Sequence, residues 1–394
     1  MGQDPIVVVG AKRTPFGAFG GALKDLSATD LAVQSSKACL EHNQISPDCI
    51  DHITFGNVIP SSSDAAYLAR HVGLKIGAPL STPALTLNRL CGSGFEAITD
   101  GIRRLKLDEA TVVLAGGTEN MSQAPFTLRK SRFGYRMGHG EIEDTLVAGL
   151  FDSFAKLPMA LTAERLAEKY GISREECDAF ALESHHKAQA AYVKGLMGPE
   201  LGEISVSAKG TDHVFSKDEH LRPDASLESL KKLKPVFKED GVVTAGNASG
   251  ICDGSASVVL TRKSHADQMG WKTLARIEAD SVVGCEPKEM GLGPVPAVQK
   301  ILTKTGLSPS AFKMIEINEA FAAQVLAVQK ELSFARDRLN IDGGAIALGH
   351  PLAASGARLV VHLISRLSSL GGGYGLASAC IGGGQGMALL LKVE

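Results

Sequence analysis

Aromatic side chains are scarce: the chain has one Trp, and Phe, Trp and Tyr together make 5% of its 394 residues. That is too few flat faces for a surface that stacks bases or sugar rings. An excess of one charge is also missing. Formal net charge is −2, from 41 Lys and Arg against 43 Asp and Glu, so nothing indicates a nucleic-acid partner. No apolar run approaches the ~20 residues of a membrane-spanning helix. The seven cysteines (39, 49, 91, 177, 252, 285, 380) are odd in number and scattered, without a C-x-x-C pair. In a long chain without a signal peptide they read as free thiols in a reducing compartment, not as a disulfide framework. The strand-like run "PIVVVG" begins within five residues of the start, which leaves no room for a cleavable targeting peptide, and "LLKVE" is not a peroxisomal tripeptide.

Glycine, in contrast, is abundant: 43 residues, above the usual ~7% of composition. The stretches "PIVVVG", "HITFGNV", "PALTL" and "TVVLAGG" read as strands, with "PALTL" a buried one. "TDLAVQSSKACLEH" and "DAAYLARHVGL" between them read as helices, and this alternation predicts a layered α/β domain over residues 1–119. The segment 120–249 is more charged and irregular, with a helix predicted from the capping box "SREE" at Ser173 to Gly195. Alternation returns at 250–270 and continues through 271–394. The two α/β parts share a pattern: Leu-Asn, a glycine-bearing turn with one reactive side chain, an amphipathic helix, then a strand ending in glycines. The economical reading is a duplicated α/β unit with a loop domain inserted in the first copy. Packed pseudo-symmetrically, the copies bring their turns together, with Cys91 and His350 at corresponding positions.

Cys91 lies in "NRLCGSGFEA", between an apolar strand and a helix whose face is Phe95, Ile98, Ile102 and Leu105. A helix entrance, with its unpaired N–H groups and dipole, favours thiolate over thiol. His350 in "GGAIALGHP" is fixed by Gly349 and Pro351 at another helix entry, a setting suited to a general base. Cys380 in "SACIGGGQG" ends a strand before a glycine run with N–H groups free to donate. Asn318 in "IEINEAFAAQ" stands at a strand-to-helix junction, either as a helix cap or as an amide that orients a water or an oxyanion. Two thiols, an imidazole, an amide and two glycine turns suit acyl transfer through a cysteine thioester. The Cys and His spacing is wrong for a paired-ligand zinc site, so no metal is expected. "GGGYG" precedes a strand instead of following one, which argues against a dinucleotide fold.

The six ordered motifs "NRLCGSG", "GGTENMSQAP", "VTAGNASG", "NEAFA", "GGAIALGHPL" and "CIGGGQG" make the whole chain resemble the thiolase family, and within it the mitochondrial-type 3-ketoacyl-CoA branch. The resemblance implies an α/β fold of two repeats forming a five-layered α-β-α-β-α core with an inserted loop domain. It implies Cys91 as the nucleophile, His350 as its activator and Cys380 as the acid/base at the α-carbon. Asn318, through a water, would form one oxyanion hole with His350, and the N–H groups of Cys91 and Gly382 the other. For coenzyme A it points to Arg222, Ser249 and Met290 around the pantetheine arm and nucleotide, and to Met159 in the acyl pocket. Without the resemblance, Ser249 reads as a loop cap, Arg222 as a solvated cation and both methionines as core.

The implied activity is CoA-dependent cleavage of 3-ketoacyl-CoA in fatty-acid β-oxidation, with CoA and acyl-CoA as substrates and no permanently bound cofactor. Condensation of two acetyl-CoA molecules is the alternative, and a non-catalytic lipid-binding relative a remote one. The family implies a homodimer or homotetramer, in the bacterial cytoplasm or the mitochondrial matrix. Three positions depart from the family's habit: Asn120 where Ser is common, "LAAS" (352–355) where glycine is usual, and Cys252 where a polar residue is usual. Biosynthetic members carry His-Met where this chain has Pro158-Met159.

Overall fold

A computed structural model describes residues 4–208 and 211–394. The first repeat contains β1 (Ile6–Arg13), α1 (Ala28–His42), β2 (His52–Gly56), α2 (Leu68–Ile76), β3 (Ala84–Leu87), α3 (Ser93–Lys106) and β4 (Val112–Asn120). The insertion carries α4 (Met159–Tyr170) and α5 (Arg174–Val193), and β5 (Cys252–Arg262) returns to the first repeat. The second repeat contains β6 (Ala275–Gly284), α6 (Pro294–Thr305), β7 (Phe312–Ile317), α7 (Ala322–Leu332), the one-turn α8 (Ala345–Leu348), α9 (Leu352–Ser369), β8 (Gly373–Ile381) and β9 (Gln385–Val393).

Strand pairing makes the duplication visible. The order is β7-β8-β9-β6-β1-β5-β4-β2-β3. Outward from the β1/β6 seam, each repeat has two antiparallel pairings and then a parallel one. The seam itself is short, with Val7 opposite Arg276 and Val8 opposite Ala275. Helices α3 and α9 touch each other, and α9 packs on strands of both repeats. Helices α1 and α2 cover the outer face of the first repeat, and α6 and α7 that of the second. The result is five layers, α-β-α-β-α. The central layer fills a core that includes Phe95, Ile98, Leu105, Leu359, Leu363, Leu260 and Leu389.

Local chemistry explains the elements. Helix α1 starts at Ser27, whose side chain accepts the N–H of Asp30. Helix α5 starts at Ser173 with both hydrogen bonds of the capping box formed. Helices α2, α4 and α6 end at glycines with left-handed backbone, where a Cβ would be strained. In the central layer, glycine permits close approach: a Cβ on Gly94 would lie 2.6 Å from the Ala357 nitrogen, and one on Gly356 2.6 Å from the Phe95 nitrogen. Strand β3 differs from expectation. It is half-buried, because it lies at the sheet's end and pairs on one side alone, with β2. The insertion's helices α4 and α5 pack across onto α7 of the second repeat, and α5 also onto α8.

Candidate active site

Cys91 sits in a turn before α3, with Leu90 at φ +48° and Gly92 as N-cap. Ser93 staples the turn: its hydroxyl accepts the Arg89 N–H (2.8 Å) and donates to the Leu90 carbonyl (2.7 Å). A Cβ on Gly92 would meet Ile381 at 2.4 Å, so glycine lets this turn press on the end of β8. The Cys91 thiol is half-buried. Burial raises its pKa to about 11; the N–H groups of Gly382 and of Cys91 itself oppose this, and the Glu119 carboxylate adds to it. The expectation that a helix entrance would give a thiolate is therefore corrected. Desolvation outweighs the dipole, and Cys91 rests as a thiol.

His350 follows α8, after Gly349 at φ +105°. Its N–H donates to the Gly250 carbonyl (3.0 Å), and its ring is nearly enclosed. Nδ1 lies 2.5 Å from Ser355 Oγ, and Nε2 3.3 Å from Asn318 Nδ2. Burial, reinforced by Arg358, lowers its pKa to about 4, so the ring is neutral at pH 7. The correspondence with Cys91 is looser than the sequence implies. The counterpart of the bridge Arg89–Cys91 is Ile341–Gly343, each with a left-handed residue (Leu90, Gly343) inside or at its end. His350 comes after the additional helix α8, at the entrance of α9.

Cys380 is buried on β8, and burial, with Cys91 and Cys285 nearby, raises its pKa. It clusters with Met290, Ala320, Met159 and Phe321. A Cβ on Gly382 would stand 3.3 Å from the Met159 sulfur and 3.1 Å from Leu90. Asn318 follows β7, and its N–H donates to Ser378 on β8 (2.9 Å). Its side-chain oxygen is buried without a hydrogen-bond partner among the described residues, a demand that a water or a substrate can meet. Cys91, Cys380, Gly382, Met159 and Met290 are thus linked by direct contacts or shared clusters, and the Asn318–His350 pair joins them through Ser378 on β8 and through Leu352 and Ala353, which pack beside Cys91 at the entrance of α9. On the other side of Cys91, Val58, Ile59, Met121, Leu146, Leu150, Leu352 and Ala353 make an apolar wall.

The end of the insertion is strapped to this centre. The Asn247 carbonyl accepts the Ala322 N–H, Ser249 N–H donates to Ala320, and Gly250 accepts from His350. Ser249 is half-buried, on the edge of the site. Arg222 is exposed and farther out; its N–H donates to His185 Nδ1 at 3.3 Å. His220 links it to the centre, because its ring fills the space of a Cβ on Gly250. Burial lowers both His185 and His220 to about 4. Cys252 is buried with its sulfur against Gly349.

Three residues that the sequence reading passed over belong here. The Ser355 hydroxyl lies against His350 Nδ1. Glu119, fully buried, accepts Asn57 Nδ2 (3.0 Å) and the N–H groups of Val58 (3.1 Å), Ile59 (2.9 Å) and Ala353 (3.2 Å). It joins the first repeat to the entrance of α9, and burial raises its pKa to about 7. Glu319 mirrors it in the second repeat, accepting from Asn340 Nδ2 (2.8 Å), Ser184 Oγ (2.7 Å) and Ile346 N–H (3.1 Å). Both carboxylates lie inside motifs already quoted, Glu119 in "GGTENMSQAP" beside Asn120 and Glu319 in "NEAFA" beside Asn318, but nothing in the motifs marked them as buried anchors.

Residues 6–264 match the family described as "Thiolase, N-terminal domain" and residues 271–393 "Thiolase, C-terminal domain". The human protein named 3-ketoacyl-CoA thiolase, mitochondrial, is 51% identical over 388 residues, 98% of each chain. An acetyl-CoA acetyltransferase of Chromobacterium violaceum is 45% identical over 389 residues, 98% of this chain and 99% of that one. The crystal structure of human mitochondrial 3-ketoacyl-CoA thiolase in complex with CoA superposes with a TM-score of 0.97 at 50% identity, covering 99% of this chain and 98% of the other.

Proposed function

The chain belongs to the thiolase family, and from that premise we propose that it is a 3-ketoacyl-CoA thiolase, an acyltransferase that shortens 3-ketoacyl-CoA by releasing acetyl-CoA in fatty-acid β-oxidation. The observation that carries the reading is one centre assembled from both repeats: the Cys91 thiol under the Gly382 N–H, with Cys380 nearby, and a neutral His350 held by Asn318 and Ser355.

In this reading Cys91 gives its proton to His350 Nε2 as its sulfur attacks the 3-keto carbon. The C2–C3 bond breaks, its electron pair becomes the enolate of acetyl-CoA, and the Cys380 thiol protonates that enolate. CoA then gives its thiol proton to the Cys380 thiolate and attacks the acyl-Cys91 thioester. Cys91 leaves and recovers its proton from His350. Burial holds the Cys91 thiol up at about 11 and the His350 imidazole down at about 4, so both rest uncharged and a separated thiolate–imidazolium pair is disfavoured. Proton transfer must therefore accompany attack, and stabilisation of the developing oxyanion counts most. The N–H groups of Cys91 and Gly382 serve the tetrahedral intermediate. His350 and a water on Asn318 serve the enolate, consistent with the unpartnered Asn318 oxygen.

We assign Ser249, Met290 and Met159 to the pantetheine and acyl arms, and Arg222 to the nucleotide end of CoA, supported by the strap that ties residues 247–250 to His350. Segment 120–249 then acts as the loop domain that carries CoA over a core formed by 1–119, 250–270 and 271–394. The compartment is cytoplasm in a bacterium or mitochondrial matrix in a eukaryote. The working form is a homodimer or homotetramer, which the half-exposed end strand β3 supports. Light scattering at micromolar protein checks this; a fully active monomer contradicts it.

The test of the activity is thiolysis of 3-ketoacyl-CoA from four to ten carbons, with the acid-quenched adduct mapped by mass spectrometry. The apolar wall beside Cys91 predicts acyl label on Cys91 alone. Each buried methylene is worth ~0.8 kcal/mol, so kcat/KM should rise by roughly a decade per two carbons until the wall is covered. Turnover of acetoacetyl-CoA alone would instead favour acetyl-CoA condensation as the physiological role, and label on Cys380 would overturn the nucleophile.

A further inference from the structure

We propose that Ser355 is a positioning residue that selects the Nδ1–H tautomer of His350, and that this neutral hydroxyl takes the place a carboxylate fills beside many catalytic histidines.

Ser355 is buried on the first turn of α9, and its Oγ has two neighbours: His350 Nδ1 at 2.5 Å and the Pro351 carbonyl at 3.1 Å. The Pro351 carbonyl, which can only accept, also takes the N–H groups of Ala354 (2.9 Å) and Ser355 (3.1 Å). With the hydroxyl proton directed to that carbonyl as well, the oxygen turns a lone pair to the ring and Nδ1 carries the hydrogen. Nε2 is then left as acceptor, facing the Asn318 amide nitrogen at 3.3 Å. The opposite tautomer has a partner waiting: the Asn318 oxygen is unpartnered, and a rotated amide would accept an Nε2–H. Asn318 can serve either tautomer; Ser355 decides between them. No carboxylate hydrogen-bonds to the ring among the described residues. The other groups around it are the Gly250 carbonyl, which takes its backbone N–H, the Cys252 sulfur, which approaches that backbone, and Arg358, whose charge opposes protonation.

The neutral partner has a chemical consequence. A carboxylate at Nδ1 would stabilise the imidazolium and retain the proton taken from Cys91. A hydroxyl orients the ring and stabilises its charged form far less than a carboxylate would, so the proton returns readily when Cys91 departs. This suits a reaction whose two half-reactions use the same imidazole in opposite directions. The nearby carboxylate, Glu119, instead binds the backbone of Ala353 within the same turn of α9, which leaves His350 to Ser355.

The inference rests on His350 being the base, and the test separates the two claims. Protein labelled with 15N-histidine is examined by long-range 1H–15N correlation, with His350 signals identified by their loss in His350→Asn. The wild type should show a protonated Nδ1 and a bare Nε2. In Ser355→Ala the proton should shift toward Nε2, and single-turnover acylation should fall roughly ten- to a hundredfold, with KM within about twofold. Ser355→Thr, which keeps the hydroxyl, should restore both tautomer and rate. Slow acylation in Ser355→Ala with an unchanged tautomer would mean a merely structural role and overturn the proposal, as would native acylation in that variant. A folded Ser355→Thr protein that fails to restore the tautomer would also overturn it. Native acylation by His350→Asn would overturn the base assignment alone, since the tautomer is read without turnover.

Discussion

Cys91 and Cys380 are both thiols made less acidic by burial, yet their surroundings divide the work between them. Cys91 faces backbone N–H donors and an apolar wall; Cys380 is enclosed among Met290, Met159 and Ala320. Cys380→Ala should therefore keep the initial burst of acylation from an activated thioester, but lose exchange of the α-protons and at least about a hundredfold in turnover. Solvent-proton exchange followed by NMR, together with steady-state assays, checks this, and near-native turnover would remove Cys380 from the reaction. Single residues were also where sequence reading was weakest. Cys91, His350 and Cys380 were legible as candidates because rare side chains stand beside or close to glycines at element ends, and Asn318 because it stands at a strand-to-helix junction. Ser355 was not, since serine inside "LAAS" carries no mark of what it faces. The ionisation of Cys91 was misjudged, because burial is set by distant elements such as β8 and the entrance of α9.

Helices α3 and α9 meet at Gly94 and Gly356, where each backbone fills the space of the other's side chain. Gly356→Ala would place a methyl 2.6 Å from a backbone nitrogen, which cannot rotate away, and α9 would have to move. Overpacking of this kind costs about 1–3 kcal/mol, and here it also displaces His350 from Cys91. Gly101→Ala, on the same helix α3, first meets the tip of Leu260 at 2.9 Å, a side chain that can yield. Denaturant titration and acylation rates of the two variants should therefore separate: Gly356→Ala loses stability and activity, and Gly101→Ala loses mainly stability. Equal activity in both would show that the crossing does not align the site. Most elements were readable from hydrophobic period and caps, including the capping box at Ser173. Helix α8 was hidden inside a motif read as one turn. "PALTL" was apolar enough to pass for an interior strand, because its place at the sheet's end depends on pairing order, which composition does not encode.

Over the molecule as a whole, a buried ionic network crosses all parts of the chain. Arg13 on β1 pairs with Glu200 (2.6 Å) and Asp218 (2.7 Å) of the insertion, and His362 on α9 lies 2.6 Å from Glu200 and 3.4 Å from Asp342. Burial disfavours charge on His362, but Glu200 and Glu316 outweigh it and raise its pKa to about 10. A raised histidine pKa contributes stability that is complete below the unfolded value of ~6.5 and is lost as pH rises through about 10. His362→Ala should thus cost about 3–5 kcal/mol at neutral pH, chiefly by leaving Glu200 short of a buried partner. The gap from wild type should narrow between pH 6.5 and 10 in chemical denaturation; a gap independent of pH would mean that His362 is not charged in the folded protein. The duplication and the insertion were visible in the sequence as a repeated motif order. The network was not, because its members are far apart and each alone reads as a surface charge.

The sharing of the central layer also bears on synthesis. A ribosome delivers α3 and β4 well before α9, and although α3 rests mostly on strands of its own repeat, the side of it that meets α9 waits for the second repeat. The first repeat cannot close when it leaves the exit tunnel, and its inner face stays open to water while the insertion and the second repeat are translated. The nascent chain should thus need protection until α9 is made, and a chain truncated before Leu352 is expected to expose this apolar face instead of forming a small folded domain.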